Sequence, residues 1–399
     1  MMQTDIIWNE AKALDEWLVE TRRDIHKHPE LGMDEYRTRE KVTTLLDEMG
    51  IPYETGYANT GVVGYIEGAK RGKTVALRAD MDALPIQETN DVPYRSTVDG
   101  KMHACGHDAH TTILLGTAQL LQKNKEQLHG TVKLFFQPAE ETVGGAKPMI
   151  EEGVMDHPKV DAVFGLHVAP EIPVGQVGVK YGQMNASSDT LHMSVKGNSG
   201  HGAYPHEGKD AIVIASHVVT ALQSIVSRNV DPRESAVISI GEIHGGKQKN
   251  IIADEVNMVG TLRTFTDEVR QLSLERIDEV LRYTTKALGG SYQFELGTDG
   301  YTSLINNDAM VDLVKQAAVH MLGVEKVRTI NQASMGVEDF AYFSKAAPSA
   351  FFRLGCRNEE KGIIHGAHTG AFDIDEDCLA IGVAMQTKNV IDFLSPDDV

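Results

Sequence analysis

Hydrophobic positions in the first half of the chain alternate between helical spacing and short continuous runs. Helical spacing predicts helices over 15–28 and 37–49, and Gly50 offers a C-cap to the second. Helix-length stretches around 109–123 and 145–152 separate the later apolar runs. Buried strands that alternate with helices predict an α/β fold, with a largely parallel sheet covered by helices on both faces. The predicted strands are 62–66, 75–79, 132–136 and 160–166.

The pattern changes after about Met184 and returns near Gly297. Strict alternation over 190–195 predicts a half-exposed strand, which opens a β-α-β-β-α-β order typical of a ferredoxin-like domain. The sequence therefore predicts an α/β domain, 1–185 and 297–399, interrupted by an inserted α+β domain, 186–296. The other predicted elements are helices 209–228, 268–288, 308–321 and 375–392, and strands 236–243, 255–264, 292–296 and 350–354.

Composition and charge exclude some classes of partner and of location, but they do not indicate a substrate. The chain has 399 residues, too many for one ordinary hydrophobic core, and a formal charge of −19. Because an acidic surface repels phosphate groups, we expect neither nucleic acid nor an anionic membrane as a partner. We expect no membrane-spanning segment and no signal peptide. Three sparse cysteines do not form a disulfide framework, which favours the reducing cytoplasm.

The sequence around Cys105 contains the side chains of a metal site. Residues 102–110 read MHACGHDAH, at a point where a loop is expected to enter a helix. Thiolate, imidazole and carboxylate are ligands that zinc and similar ions prefer, which makes Cys105 and His107 candidate ligands. The alternative is a solvated histidine-rich turn with a buried free cysteine.

Further candidate residues follow other predicted strands. Glu140 and Glu141 come directly after one, and such a pair can divide its work between binding a metal and acting as a general base. The alternative is an exposed acidic helix start. Because open α/β sheets place their sites at the carboxyl ends of strands, these clusters together predict a site for two metal ions. The remaining candidates are His167, His368, Asp80 and Asp82, the aspartates being ligands or groups that orient ligands.

Taken together, these motifs resemble the amidohydrolase branch of the aminoacylase-like di-metal peptidases. That branch includes hippurate hydrolases, indole-acetyl-amino-acid hydrolases and N-acetyl-diaminopimelate deacetylases. The resemblance rests on LRADMDALPI, MHACGHDAH, FFQPAEE and GLHV, and it extends from RRDIHKHPELGMDEYRT at 22–38 to HTGAFDIDED at 368–377. It implies an α/β, di-metal exopeptidase-like catalytic domain with an inserted ferredoxin-like lid, which often forms a homodimer.

The resemblance also implies roles for residues of the catalytic domain. Glu140 matches the general base, while Asp80 and Asp82 match the supporting aspartates. The segment 335–343, MGVEDFAYF, matches a recurring C-terminal segment. The positions that match metal ligands are Cys105, His107, Glu141, His167 and His368.

In the lid, the resemblance implies three substrate contacts. His201 resembles the histidine that reaches the substrate carbonyl, and Asn250 and Arg263 resemble residues that contact the carbonyl and carboxylate of the substrate. Four departures from the family pattern bear on the shape of the substrate pocket rather than on the ligands. They are Thr142, Ala253, Val337 and Gly370.

The function predicted from the sequence is hydrolysis of the amide bond of small N-acyl amino acids by a metal-activated water, with Glu140 as the base. Zinc, manganese, nickel and cobalt all suit the predicted ligands. One alternative is a dipeptidase or carboxypeptidase of the same chemistry. Others are a non-catalytic metal- or metabolite-binding protein and a cysteine hydrolase with Cys105 as nucleophile.

Overall fold

The structure, a computed structural model, describes residues 4–395. Its helices, numbered in chain order, are α1 Thr4–Lys12, α2 Asp15–Lys27, α3 Tyr36–Glu48, α4 His107–Lys123, α5 Ala146–Glu151, α6 Ala211–Ser224, α7 Asp267–Ala287, α8 Asp308–Leu322, α9 Phe340–Ala346 and α10 Asp377–Leu394. Its strands are β1 Tyr53–Tyr57, β2 Gly61–Glu67, β3 Lys70–Asp80, β4 His129–Gln137, β5 Ala162–Pro173, β6 Val177–Val179, β7 Gly182–Asn185, β8 Asp189–Lys196, β9 Gly200–His201, β10 Ala236–Gly245, β11 Ile251–Ile252, β12 Glu255–Thr264, β13 Ser291–Leu296, β14 Leu304–Asn306, β15 Val327–Thr329 and β16 Ser349–Arg357.

The chain forms two compact units. The first comprises the chain up to Met184, Ile305–Gln332 and the chain from Asp339 onward. The second comprises Asn185–Leu304 together with Ala333–Glu338. The sequence predicted that one domain is catalytic and that the other is a lid. These two roles stay predictions.

An eight-stranded sheet forms the centre of the first unit, with the order β1-β2-β4-β3-β5-β16-β6-β15. Its middle strands, β4, β3, β5 and β16, are parallel, as expected for continuous apolar runs buried on both faces. The predicted α/β fold is confirmed. The expectation of a largely parallel sheet is wrong for the outer strands of the sheet. There, β1 pairs antiparallel with β2, β2 with β4, and β6 with β16. A tight turn through Ala58 and Asn59, both at positive φ, joins β1 to β2 and allows only a hairpin.

Helices α4 and α10 are buried against the sheet and against each other. Almost all of α4 is buried, and so is most of α10. A Cβ on Gly116 would lie 2.7 Å from Val383 Cγ2, and a Cβ on Gly382 would lie 2.6 Å from Ile113 Cδ1. The two glycines therefore allow a close approach of the helices. This packing places the start of α4 at the edge of the sheet where β3 and β4 end.

The second unit contains the predicted β-α-β-β-α-β order as β8, α6, β10, β12, α7 and β13. These strands form an antiparallel sheet with the order β10-β12-β8-β13. Alternate residues of β8 are buried, and they form a core with the inner faces of α6 and α7. Ferredoxin-like folds have this element order.

Helix α6 bears on the expectation that no segment of the chain spans a membrane. With the π-helical turn that follows it, this helix spans Ala211–Asn229 and is long and apolar enough, by length and composition, to cross a membrane. In the sequence this run is interrupted by His217, Gln223 and several Ser and Thr residues, so it is not a continuous apolar stretch. Core helices of globular domains pass the same test, and Ile214 and Leu222 of α6 are buried in the core of the second unit.

Candidate active site

The five predicted metal ligands converge in the first unit, where β3 and β4 end; His167 lies inside β5 rather than after the end of a strand, where the sequence had predicted it. Cys105 Sγ lies 3.3 Å from His167 Nε2. His368 Nε2 lies 3.1 Å from Glu141 Oε1, and His107 Nε2 lies 3.9 Å from the same oxygen. The backbone N–H of His368 donates to Ala104 O at 2.8 Å, which ties the loop before α10 to the loop before α4. Residues more than 260 positions apart are thus joined in one cluster.

The histidines are oriented so that their Nε2 atoms face the cluster. His107 Nδ1 lies 3.0 Å from Asp82 Oδ1, and His167 Nδ1 lies 2.7 Å from the carbonyl oxygen of Val168. Since carboxylate and carbonyl oxygens only accept, each Nδ1 carries the proton and each Nε2 keeps its lone pair. That tautomer is the one a metal ligand requires.

Two buried atoms of the cluster fit a bound cation. His107 Nε2 and Glu141 Oε1 are buried, and neither has a hydrogen bond of acceptable geometry. Leaving such groups without a partner costs roughly 1–3 kcal/mol each. A divalent cation between them would satisfy both, so the residues present fit a metal ion.

The ligand atoms fall into overlapping groups of three that accommodate more than one ion. Within each group the atoms lie within 4.8 Å of one another. A thiolate, imidazoles and carboxylates form a donor set typical of zinc and similar transition metals. The groups are Cys105, His107 and His167; Cys105, Glu141 and His368; and His107, Glu140 and Glu141.

The pKa directions in the cluster also point to a cation. Burial and the charge of Glu141 raise the pKa of the Cys105 thiol, so the thiolate needs a positive neighbour. Burial alone would lower the pKa of His107, but the charge of Asp80 outweighs it and raises that pKa. The carboxylate of Glu141 raises the pKa of His368. The site therefore attracts protons strongly, and a metal ion would displace them.

Asp80 supports the cluster indirectly. Its Oδ2 accepts from Arg78 Nη1 at 2.7 Å, and its Oδ1 lies 2.6 Å from His110 Nδ1. His110 Nε2 in turn accepts from the backbone N–H of Val168, next to His167. Burial raises the pKa of Asp80, but His107 and Arg78 together hold it well below its usual range. Asp80 is therefore ionised, and through His110 it holds the middle of β5 next to His167.

Sequence reasoning assigned no role to several residues of this network. His110 lies one helical turn after His107, and that spacing places both on one face of α4, a signal which was available. Arg78, Asp339 and Glu35 gave no comparable signal. Gln137 Nε2 and Arg78 Nη2 both donate to Asp339, a contact between residues about 200 to 260 positions apart.

The predicted substrate-binding residues lie in the second unit. His201 of β9 pairs with Ile251 of β11, and the N–H of Gly202 donates to the carbonyl oxygen of Asn250 at 2.8 Å. Asn250, which immediately precedes β11, therefore lies next to His201. The side chain of His201 is exposed. Arg263 of β12 donates from Nη1 to the carbonyl oxygen of Met335 at 3.0 Å. The roles of these three residues stay predictions.

Two departures from the family pattern have a steric explanation. A Cβ on Gly32 would lie 2.2 Å from Thr142 Oγ1, so Thr142 fits because residue 32 is glycine. A Cβ on Gly370 would lie 2.4 Å from Gln87 O, and the N–H of Thr89 donates to Gly370 O at 2.7 Å. Gly370 therefore permits a close approach of two backbone segments next to His368.

Comparison with known proteins supports the relationship indicated by the motifs. The family model described as peptidase family M20/M25/M40 matches residues 76–391. Thermostable carboxypeptidase 2 of Saccharolobus solfataricus is 41% identical over 388 residues, which cover 96% of this chain and 97% of that protein. N-acetylcysteine deacetylase of Bacillus subtilis is 38% identical over 371 residues, which cover 93% and 95%.

A solved structure gives the same result. The YxeP protein of Bacillus subtilis, described as a dinuclear metal binding peptidase from the M20 family, has a TM-score of 0.84 and 34% identity to this chain. The match covers 96% of this chain and 99% of that one. The predicted family and enzyme class are thereby confirmed. The chain belongs to peptidase family M20/M25/M40, and it is a metal-dependent hydrolase that acts on amide bonds.

Proposed function

We propose that the protein holds two divalent metal ions and hydrolyses the amide bond of N-acyl amino acids to a carboxylate and a free amino acid. The observation that carries the proposal is the cluster of Cys105, His107, Glu141, His167 and His368, with Glu140 beside it. Within the cluster, the buried atoms His107 Nε2 and Glu141 Oε1 make no hydrogen bond. Zinc, manganese, nickel and cobalt are the candidate ions.

When bound, the ions would lower the pKa of a coordinated water and polarise the amide carbonyl. Glu140 takes the proton of the attacking water and returns it to the departing amine. Its side chain is only 7% exposed, and its carboxylate belongs to a group with His107 and Glu141, so it lies among the ligands rather than in bulk water. The hydrogen bond from His107 to Asp82 keeps that imidazole in the ligand tautomer throughout.

For the second unit we propose a substrate-binding role. His201 donates to the carbonyl oxygen as negative charge develops on it, and Asn250 contacts the same carbonyl. Arg263 binds the α-carboxylate of the amino acid, since a guanidinium matches a carboxylate in bidentate geometry. The support is the resemblance of these positions to the lid of the family.

The N-acyl amino acid substrate is supported by the deacetylase relative from Bacillus subtilis, which acts on N-acetylcysteine by its name. A second candidate is a carboxypeptidase or dipeptidase reaction, because the thermostable carboxypeptidase 2 relative is 41% identical over nearly the whole chain. A cysteine-hydrolase mechanism is disfavoured, since burial and Glu141 raise the pKa of Cys105 and a nucleophilic cysteine needs a lowered one.

We also propose a homodimer formed through the second unit and a cytoplasmic location. Strand β10 is an edge of its sheet, and exposed apolar side chains lie on it and on α6, with Ile243 54% and Val213 49% exposed. An apolar edge strand is a ready interface for a second copy. Cys105, Cys356 and Cys378 are free and buried, which suits a reducing compartment.

The test is release of free amine from a panel of N-acetyl, N-benzoyl and indole-acetyl amino acids and of dipeptides. Each substrate is assayed with the protein as purified, with chelator, and after restoring Zn²⁺, Mn²⁺, Co²⁺ or Ni²⁺. Chelator-sensitive turnover of acylated amino acids is the expected result. Turnover of dipeptides alone would favour the peptidase alternative, and activity that survives complete metal removal would refute the two-metal mechanism.

A further inference from the structure

Three buried carboxylates hold the loop that carries Glu140 and Glu141. Each accepts a backbone N–H from the segment that runs from the end of β4 to the first residue of α5, at distances of 2.8 to 3.0 Å. The three pairs are Ala139 N–H with Glu35 Oε1, Glu141 N–H with Asp82 Oδ2, and Ala146 N–H with Asp339 Oδ2. Within the loop, Ala139 O accepts from the N–H of Gly144 at 2.9 Å, and the three carboxylates hold the backbone on either side of Glu140.

The contact at Ala139 falls on the most constrained point of the loop. Ala139 has a φ of 59°, in the left-handed region that residues other than glycine rarely adopt. Such a conformation persists only where the surroundings impose it. Ala139 immediately precedes Glu140. A rotation of its backbone therefore displaces the Glu140 side chain directly.

Glu35, which accepts the N–H of Ala139, is a buried residue. Its side chain is buried, and both of its oxygens are used, because Thr60 Oγ1 donates to Oε2 at 2.5 Å while Ala139 N–H donates to Oε1. Close by, a Cβ on Gly32 would lie 2.9 Å from Ala139 Cα. The segment 30–35 is therefore seated directly on the loop.

Glu30, at the other end of this segment, binds the start of α3 rather than the loop. Its carboxylate accepts from the backbone N–H groups of Arg37 and Thr38, at 2.9 and 2.8 Å, and from Thr38 Oγ1. It thus satisfies free donors at the start of α3. Glu30 stabilises the same segment without contacting the loop.

We propose that Glu35 is a positioning residue, which holds the Ala139 backbone so that the Glu140 carboxylate stays in place to accept the proton of the attacking water. This inference rests on the proposed function, since it takes Glu140 as the base. Without the carboxylate, the Ala139 N–H is buried with no acceptor and the loop rotates to find one. A displacement of about 1 Å at a reacting group can lower the rate about 10²-fold.

The experiment compares Glu35→Leu, Glu35→Gln and the control Glu30→Leu in the metal-loaded enzyme. Leucine removes the acceptor at similar volume, whereas glutamine keeps one carbonyl oxygen for the Ala139 N–H. The readouts are kcat and KM, bound metal per chain, and hydrogen exchange of residues 138–146. We expect Glu35→Leu to lower kcat about 10- to 100-fold with KM within threefold, metal retained and exchange faster. We expect Glu35→Gln to stay within about threefold of wild type.

The control separates positioning from general loss of stability. Glu30→Leu lowers the melting temperature and is expected to leave kcat within twofold. An equal loss of kcat in Glu30→Leu, an unchanged kcat and exchange rate in Glu35→Leu, or a defect in Glu35→Gln as large as in Glu35→Leu would each overturn the inference.

The inference can still be tested if Glu35→Leu does not fold or if the wild type is inactive. If Glu35→Leu does not fold, Gly32→Ala displaces the same loop without touching the carboxylate. We then expect at least a tenfold loss of kcat, and an unchanged kcat would overturn the inference. If the wild type hydrolyses no substrate, the proposed function fails, and hydrogen exchange alone decides: faster exchange in Glu35→Leu but not in Glu35→Gln supports the contact, and equal exchange refutes it.

Discussion

Asp82→Asn is the change that most directly tests how the metal ligands are held. One oxygen of Asp82 lies 3.0 Å from His107 Nδ1, and the other accepts the backbone N–H of Glu141 at 2.9 Å. The side chain is 1% exposed, so water cannot replace either contact. Asparagine has nearly the same shape but one acceptor instead of two. Its amide NH₂ must therefore face either the imidazole N–H or the peptide N–H.

The structure sets the size of the expected effect. A donor that faces a donor in the interior costs roughly 1–3 kcal/mol, and 1.4 kcal/mol is about a tenfold change in an equilibrium constant. Both contacts of Asp82 end on groups that belong to the ligands. The loss is therefore expected to appear as metal affinity weakened about 10- to 100-fold, the range seen when hydrogen bonds to ligands are removed elsewhere.

The assay is competition between the protein and a chelator of known affinity, with bound metal per chain measured by elemental analysis. Asp161→Asn is the matched control, because Asp161 Oδ2 accepts the N–H of Thr74 near the start of β3, while Asp82 lies just beyond the end of that strand. We expect its metal affinity to equal that of the wild type. Wild-type affinity in Asp82→Asn, or the same loss in Asp161→Asn, would refute the reasoning.

Four other variants follow from the site. Glu140→Ala should keep its metal and lose about 10²- to 10⁴-fold in turnover, and near-wild-type turnover would exclude Glu140 as the base. Cys105→Ala should bind less metal per chain, and full occupancy by elemental analysis would contradict its role as a ligand. His201→Ala should lower kcat about 10²- to 10³-fold with metal retained, whereas an unchanged kcat would remove it from the site. Burial raises the pKa of Glu35 from 4.5 to about 7. The hydrogen bond from Thr60 lowers this pKa and the negative charge of Asp82 raises it, but burial has the largest effect. Because the folded state then binds the proton more tightly than the unfolded state, the free energy of unfolding should fall by about 3 kcal/mol relative to Glu35→Gln as pH rises from about 4.5 to 8. Denaturant titrations of both proteins in chelator measure this difference, and parallel pH profiles would contradict it.

The sequence predicted the fold best where a pattern is periodic over a whole element. The helix expected over 268–288 is α7, Asp267–Ala287, and the strand expected over 255–264 is β12. Both are half-buried, so apolar positions recur at the period of the element. The pattern failed at β1, Tyr53–Tyr57, whose middle residues are exposed, and at the seven-residue helix α9. Neither is long enough or amphipathic enough to leave a periodic signal.

Strand direction was harder to predict than strand position. Continuous apolar runs correctly indicated that β3, β4 and β5 are buried on both faces. Burial does not determine direction, however, because an antiparallel strand inside a covered sheet has the same composition. The antiparallel pairing of β1 with β2 depends on the hairpin at Ala58 and Asn59. Their positive φ angles are not evident from the residue types alone.

The acidic residues around the site show where sequence reasoning reaches its limit. Asp80 and Asp82 lie two apart, which predicts that they point the same way. In the structure Asp80 ends β3 and serves Arg78 and His110, while Asp82 lies beyond the strand and serves His107 and the N–H of Glu141. The two aspartates contact different partners because β3 ends at Asp80 and Asp82 lies outside the strand. A carboxylate that binds a metal and one that orients the ligand have the same residue type and the same place after a strand. Only the three-dimensional partners distinguish them, and those partners come from α4 and from the loop after β4.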